Sequence, residues 1–100
     1  GSGSLTRALI KAGIEPGRIY VIELDKALAV YLKSAFPQVN VIHGNATELG
    51  KILPPHIIGK VHRIVSGLPM INMPECVRRE ILESCFEIMS PNGAYLQYTY

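Results

Sequence analysis

The chain opens with Gly1-Ser2-Gly3-Ser4-Leu5-Thr6 and reaches Glu23 at the end of the apolar run Ile19-Tyr20-Val21-Ile22. Between them, apolar residues recur at helical spacing from Leu5 to Ala12, which predicts a helix. The run that follows is short, mostly β-branched and preceded by glycine and proline, as is typical of a buried strand. The sequence therefore predicts a glycine turn, a helix and then a strand that ends in a carboxylate.

The 20 positions from Gly3 to Glu23 are the spacing at which a nucleotide-bearing cofactor needs a glycine turn and an acid. Bare glycine lets the backbone approach the ligand, and the acid accepts hydrogen bonds from ribose hydroxyls. Taken alone, Gly1 to Ser4 has the composition of a flexible linker, and Glu23 could simply begin the next helix. The two features together favour the cofactor interpretation.

Helical and strand patterns continue to alternate after Glu23. The predicted elements are a helix from Leu24 to Ala35, a strand Val39 to His43, a weak helix Thr47 to Leu53 interrupted by Gly50, a strand Arg63 to Ser66, a helix capped by Asn72 with Glu75 and ending at Met89, a turn Pro91-Asn92-Gly93 and a strand Ala94 to Tyr100. This alternation predicts an α/β fold, with a parallel sheet covered by helices on both faces.

Ligands of such sheets bind beyond the carboxyl ends of the strands. Glu23, Asn45 and the segment Ser66-Gly67-Leu68-Pro69 each follow a predicted strand, so we expect them on one edge. Asn45 offers a donor and an acceptor to an adenine edge, although it is also an ordinary turn residue. Ser66 lacks the glycine setting of a hydrolase nucleophile, which argues against covalent catalysis.

Composition narrows the classes of function. The chain has 100 residues, 48% hydrophobic, and a net charge of +2 with scattered cations, so it has no basic stripe for a nucleic-acid backbone. Cys76 and Cys85 fall nine positions apart in one predicted helix, on opposite faces and too distant for a disulfide, which favours a reducing compartment. No His or Cys cluster has metal-site spacing, and no apolar stretch reaches the length of a membrane span.

The first residues raise a further expectation. A glycine turn of this type follows a strand, yet the sequence begins inside the turn. We therefore expect the first strand of the sheet to lie before Gly1.

Three tyrosines crowd the last predicted strand, where Tyr98 and Tyr100 share a face; packing explains them by default, and contact with a cation is the alternative.

These motifs resemble the cofactor-binding part of class I S-adenosylmethionine-dependent methyltransferases, and most specifically the bacterial phospholipid N-methyltransferases that methylate phosphatidylethanolamine. The resemblance runs from end to end and rests on five segments, namely residues 1–9, 22–23, 44–46, 65–69 and 95–100. It implies a Rossmann-like parallel sheet with helices on both faces, of which residues 1–100 form a partial domain lacking the first and last strands.

The resemblance also implies residue roles. Gly1 and Gly3 would line the methionine part of S-adenosylmethionine, Glu23 would hold the ribose hydroxyls, and Asn45 with Ala46 would border the adenine. Leu24 would also contact the cofactor. The segment Ser66, Gly67, Leu68 and Pro69 would face the methyl group and the acceptor. Tyr98 or Tyr100 would accommodate the cation that forms on the methylated amine. The family commonly has Asp at the Asn45 position, and Asn can still accept through its amide oxygen.

The implied reaction is methyl transfer to the amine of a phospholipid head group by a cytoplasmic enzyme, peripheral at the inner membrane face through segments outside this sequence. The related rRNA adenine dimethylases carry Asn-Leu-Pro and an aromatic where this chain has Ser66 to Met70, so the residues that grip a flipped-out base are missing. Nucleic acid is therefore the second choice of acceptor. A module that binds the cofactor without catalysis is the third alternative.

Overall fold

The computed structural model of the chain describes residues 3–97. The chain divides into two compact units, Gly1–Asn45 and Ala46–Tyr100. Each unit contains one pair of parallel strands, β1 with β2 in the first and β3 with β4 in the second, whose residue ranges follow below. The α/β class and the parallel pairing are confirmed, and the strand pairs are compatible with a fragment of a Rossmann-like sheet.

The first unit contains the helices α1 (Ser4–Lys11) and α2 (Lys26–Ala35) and the strands β1 (Tyr20–Glu23) and β2 (Asn40–His43). The two strands are in register from Tyr20 opposite Asn40 to Glu23 opposite His43. Their carboxyl ends therefore coincide. The sequence predicted all four elements, with ends that differ by one or two residues.

Apolar residues of α2 and β2, with the residues that directly precede β1 and β2, form the core of this unit. The buried members are Ile19, Ala29, Leu32, Val39 and Val41, and Leu9, Ile10, Val21, Leu28 and Phe36 pack against them half-buried. The helical stripes of α1 and α2 thus face the same apolar layer as the strands, as the spacing of their apolar residues predicted.

The second unit contains α3 (Leu49–Ile52), β3 (Val61–Ser66), α4 (Glu75–Ile88) and β4 (Met89–Gln97). Gly50 lies within α3 and does not interrupt it. The register of the β3–β4 pair shifts between Val61, opposite Met89, and Arg63, opposite Ala94. The segment Pro91-Asn92-Gly93 therefore forms an irregularity inside β4, where the sequence predicted a turn before the strand.

The predicted cap of α4 is wrong. Asn72 ends the short 3₁₀ turn Met70–Asn72, and Pro74 occupies the N-cap position without a side-chain hydrogen bond. Met73 between them is extended, with φ −92° and ψ 148°, as expected for a residue that precedes proline. Pro74 suits the N-cap position because its ring holds φ at −55°, and its missing N–H leaves no donor unpaired there.

The two cysteines lie on opposite sides of α4, as predicted. Both are free; Cys76 is exposed and Cys85 is buried. Burial raises the pKa of the Cys85 thiol, because the surrounding apolar groups disfavour the thiolate. A thiolate is the reactive form, so Cys85 is a packing residue.

The described residues also bear on metals and membranes. No group of three or more His, Cys, Asp or Glu side chains among them is arranged to hold a metal ion. Within residues 3–97, none of the helices has the length and apolar character that a membrane crossing requires.

The start of α3 depends on a buried hydrogen bond from α4. The Leu49 N–H donates to Ser84 Oγ over 2.8 Å, and Ser84 is only 4% exposed. The Leu49 N–H has no acceptor within its own helix because it lies at the helix start, so Ser84→Ala leaves it unpaired and away from water. We expect this change to lower the free energy of unfolding by about 1–3 kcal/mol, measured by urea denaturation. The exposed Ser34→Ala in α2 is the matched control, and equal effects of the two changes would contradict the assignment.

Candidate functional site

Glu23 closes β1 and lies beside the start of α2. Its Oε2 accepts a hydrogen bond from the Asp25 N–H at 2.9 Å, which fixes the orientation of the carboxylate. Asp25 in turn caps α2, because its Oδ1 accepts from the Leu28 N–H at 2.9 Å. The helix therefore has its cap from Asp25, and Glu23 is not needed for that purpose.

The Glu23 carboxylate retains capacity for a ligand. Oε1 makes no hydrogen bond within residues 3–97, and the side chain is half-buried. An ionised carboxylate offers about four lone-pair sites, of which the Asp25 N–H uses one. A group with two adjacent hydroxyls, such as a ribose, fits this donor-free side of the carboxylate.

The turn after β2 lies directly beside Glu23. The Gly44 N–H donates to the Glu23 backbone oxygen at 2.9 Å, so the parallel ladder extends one residue past the strand. Asn45 follows at once and is exposed. The structure therefore brings Glu23 and Asn45 to one strand edge, as the sequence predicted for these two residues.

Leu24 and His43 complete this edge. His43 Nε2 lies 3.0 Å from the Leu24 carbonyl oxygen, and a carbonyl only accepts, so His43 donates from Nε2. Leu24 is 66% exposed and directly follows Glu23 in the chain. Exposed apolar surface beside an acid is suited to a ligand that has both an aromatic ring and hydroxyl groups. Sequence reasoning assigned His43 no role, and in the structure it binds the Leu24 carbonyl and so holds the segment that follows β1.

Gly3 is positioned by packing. It adopts φ 90° at the N-cap of α1, and a Cβ there would lie 2.8 Å from Phe36 Cε2 and 3.1 Å from Leu32 Cδ2. Leu32 and Phe36 lie at the carboxyl end of α2, whereas Glu23 precedes its amino end. The structure thus shows why residue 3 must be glycine for packing, and the role of Gly3 towards a cofactor stays a prediction.

The segment Ser66–Pro69 follows β3 in the second unit and is held by its own hydrogen bonds. The buried Ser66 Oγ accepts from the Leu68 N–H at 3.2 Å. The Leu68 carbonyl accepts from the Met70 N–H at 2.8 Å, across Pro69 with φ −77° and ψ 69°. These angles are those of an inverse γ-turn, so the segment is a tight turn, as predicted.

Two residues of β4 also hold this turn, and sequence reasoning missed both. Gln97 Nε2 donates to the Leu68 carbonyl at 2.8 Å, and the Tyr95 hydroxyl donates to Gln97 Oε1 at 2.7 Å. Gln97 is in register with Ser66. The signal available in the sequence was the alternation of side chains along a strand, which places Tyr95 and Gln97 on one face. The sequence did not predict that Gln97 would lie opposite Ser66 in the neighbouring strand.

The remaining predicted site residues are placed as follows. Ala46 begins the 3₁₀ turn Ala46–Glu48 in the second unit. Gly1, Tyr98 and Tyr100 lie outside the described residues, so their suggested roles stay predictions. Glu23, Leu24 and Asn45 are together in the first unit, and Ser66, Gly67, Leu68 and Pro69 are together in the second.

Comparison with known proteins relates the chain to a curated methyltransferase. No protein-family profile matches the chain, and no solved structure matches it. The ornithine lipid N-methyltransferase of Singulisphaera acidiphila is 26% identical over 102 residues, which cover 99% of this chain and 53% of that protein. The chain spans about half the length of the curated relative it matches. This similarity supports a relationship of the chain to methyltransferases, and to one that acts on a lipid.

Proposed function

We propose that residues 1–100 belong to the S-adenosylmethionine-binding domain of a methyltransferase that methylates the amine of a lipid head group. The observation that carries the proposal is the Glu23 carboxylate at the end of β1, beside the turn Gly44–Asn45 that ends the parallel strand β2. The similarity to a lipid N-methyltransferase supports the class of acceptor. Residue roles and acceptor identity rest on the sequence motifs.

Residues of the first unit would hold the cofactor. Glu23 would accept hydrogen bonds from both ribose hydroxyls, with its carboxylate already oriented by the Asp25 N–H. Leu24 would cover the ribose or adenine with its exposed apolar side chain. Asn45 with Ala46 would border the adenine, and Gly1 with Gly3 would allow the backbone to approach the methionine part.

When bound, the cofactor supplies a methyl group on a sulfonium sulfur. Transfer of that group to the neutral lipid amine would leave the electron pair of the C–S bond on sulfur, and the amine would release one proton to solvent. Ser66, Gly67, Leu68 and Pro69 would position the amine near the methyl carbon. Holding two reactants in attack geometry can supply most of the acceleration of such a reaction, so no strong base is needed.

The acceptor is proposed as a primary amine on a membrane lipid, with phosphatidylethanolamine expected from the sequence motifs. The protein would then work at the cytoplasmic face of a membrane. The amine of an ornithine lipid has the same reacting group, so both lipids belong in the test. One of Tyr98 and Tyr100 would contact the methylated, cationic head group, a contact worth about 0.5–2 kcal/mol.

The test is transfer of labelled methyl groups from S-adenosylmethionine by the full-length protein. Separate reactions contain vesicles of phosphatidylethanolamine, vesicles of ornithine lipid, rRNA, or no acceptor. We expect label in at least one amine lipid, at a rate at least tenfold above the reaction without acceptor. Label in rRNA with unlabelled lipids would overturn the proposal in favour of a nucleic-acid methyltransferase. Absence of label everywhere, with the cofactor bound, would favour a binding module.

A further inference from the structure

We propose that Gln97 is a positioning residue that holds the turn Ser66–Pro69 in the shape needed for methyl transfer. The inference rests on the proposed function, in which this turn faces the methyl group and the acceptor amine. It adds a residue of β4 that the sequence motifs did not assign. Gln97 does not act on the reactants; it acts through the Leu68 peptide.

The backbone of Leu68 is hydrogen-bonded through both its N–H and its carbonyl. Its N–H donates to Ser66 Oγ at 3.2 Å, and its carbonyl accepts from both the Met70 N–H and Gln97 Nε2 at 2.8 Å. Two of these three bonds are local to the turn. The bond from Gln97 ties the turn to the neighbouring strand β4, and it therefore helps to set where the turn lies relative to the end of the β3–β4 pair.

The orientation of the Gln97 amide follows from its partners. A carbonyl only accepts hydrogen bonds, so the NH₂ group of Gln97 must face Leu68. Oε1 then faces Tyr95, whose hydroxyl donates to it at 2.7 Å. Tyr95 is thus a support that fixes which end of the amide faces the turn, and such supporting hydrogen bonds are what keep a site in one geometry.

Register explains why position 97 can do this. Ser66 and Gln97 are partners in the parallel β3–β4 pair. Ser66 is the last residue of β3, and Gln97 is the last residue of β4. The turn leaves β3 at Ser66. The side chain of Gln97, which lies opposite Ser66 on β4, therefore reaches the Leu68 carbonyl two residues further along the turn. A residue at this position with no donor cannot hold the Leu68 carbonyl.

The decisive variant is Gln97→Glu in the full-length protein. It keeps the size and the acceptor for Tyr95, but replaces the donor facing the Leu68 carbonyl by an oxygen that repels it. Tyr95→Phe removes only the support. Gln38→Glu is the matched control, because Gln38 is an exposed glutamine in the first unit. Amide hydrogen exchange of residues 66–73 and methyl-transfer kinetics are both measured.

For Gln97→Glu we expect the Leu68 and Met70 amides to exchange about tenfold faster, which corresponds to the loss of about one hydrogen bond. We expect kcat to fall about tenfold, with KM for S-adenosylmethionine within about twofold of the unchanged protein. Tyr95→Phe should change both in the same direction by about threefold, and Gln38→Glu should change neither.

The outcomes separate this inference from the function on which it rests. Unchanged exchange and unchanged kcat in Gln97→Glu would overturn the positioning role. A fall in kcat that is accompanied by weaker cofactor binding and a lower melting temperature would also overturn it, because a general structural defect would then explain the result. If the unchanged protein methylates no acceptor, the proposed function fails, and the exchange measurement still decides whether Gln97 holds the turn.

Discussion

Glu23→Ala is expected to weaken binding of S-adenosylmethionine by about 1–3 kcal/mol, which is about 5- to 150-fold in the dissociation constant. The physical reason is the loss of charge-assisted hydrogen bonds from the ribose hydroxyls to the carboxylate. In the structure that carboxylate is oriented by the Asp25 N–H at 2.9 Å, so its geometry exists before the ligand arrives. Isothermal titration calorimetry with the cofactor, or with its demethylated product, measures the change.

Two further variants separate charge from shape. Glu23→Gln keeps the size of the side chain and an oxygen for the Asp25 N–H but loses the negative charge, so we expect a smaller loss of affinity. Glu15→Ala removes the same charge from an exposed position whose side chain makes no cap hydrogen bond, and it should leave affinity unchanged. Equal dissociation constants for Glu23→Ala and the unchanged protein would remove Glu23 from the site.

Stability should respond much less than affinity to the loss of Glu23. The hydrogen bond from Asp25 is exposed, so water replaces it when the carboxylate is removed. Asp25 retains the cap of α2 through the Leu28 N–H. A large drop in the melting temperature of Glu23→Ala would therefore indicate a structural role that the hydrogen bonds do not show.

The parts of the fold that were predictable from the sequence are those set by local patterns. The strands ending at Glu23 and His43 and the helix between them follow from apolar periodicity and from Pro37, and the structure confirms them. Local reasoning failed for the cap at Asn72. The proline at position 74 forces Met73 to be extended, and this outweighs the capping preference of asparagine.

The features that were not predictable all join residues distant in sequence. Ser84 lies 35 residues from Leu49, and Gln97 lies 29 residues from Leu68. Both bonds depend on packing or strand register. The periodicity of apolar residues, two for a strand and 3.6 for a helix, shows which side chains share a face but not which element packs against that face. For the site, the sequence located the carboxylate and both turns because they follow strands. Local patterns did not identify two supporting side chains, namely His43, which binds the Leu24 carbonyl after β1, and Gln97, which binds the Leu68 carbonyl after β3.

Gly3→Ala is expected to lower the free energy of unfolding by about 2–6 kcal/mol. About 1–3 kcal/mol comes from placing a side chain at φ 90°, and about 1–3 kcal/mol comes from overpacking. The added Cβ would lie 2.8 Å from Phe36 Cε2 and 3.1 Å from Leu32 Cδ2, so the core of the first unit would have to shift. Urea denaturation followed by circular dichroism measures the loss.

The chain contains matched controls for both contributions. Gly13 has φ 101° and nothing within 4 Å of an added Cβ, so Gly13→Ala carries the backbone strain without the overpacking. Gly17 has open space as well and no positive φ, so Gly17→Ala should cost little or stabilise by about 0.4–1 kcal/mol. If Gly3→Ala were no more destabilising than Gly13→Ala, the close approach to Phe36 would be unimportant.

A second change separates the packing role of Gly3 from its predicted role in binding. Phe36→Leu, combined with Gly3→Ala, replaces the ring that the new Cβ would meet by a smaller side chain. It should therefore recover the stability that is lost through overpacking against Phe36. It cannot restore a bare backbone at residue 3. Cofactor affinity that stays low after stability has recovered would therefore show that the ligand itself needs glycine there. Affinity that recovers together with stability would show that Gly3 serves packing alone, and the methionine part of the cofactor would then have to be held by other residues.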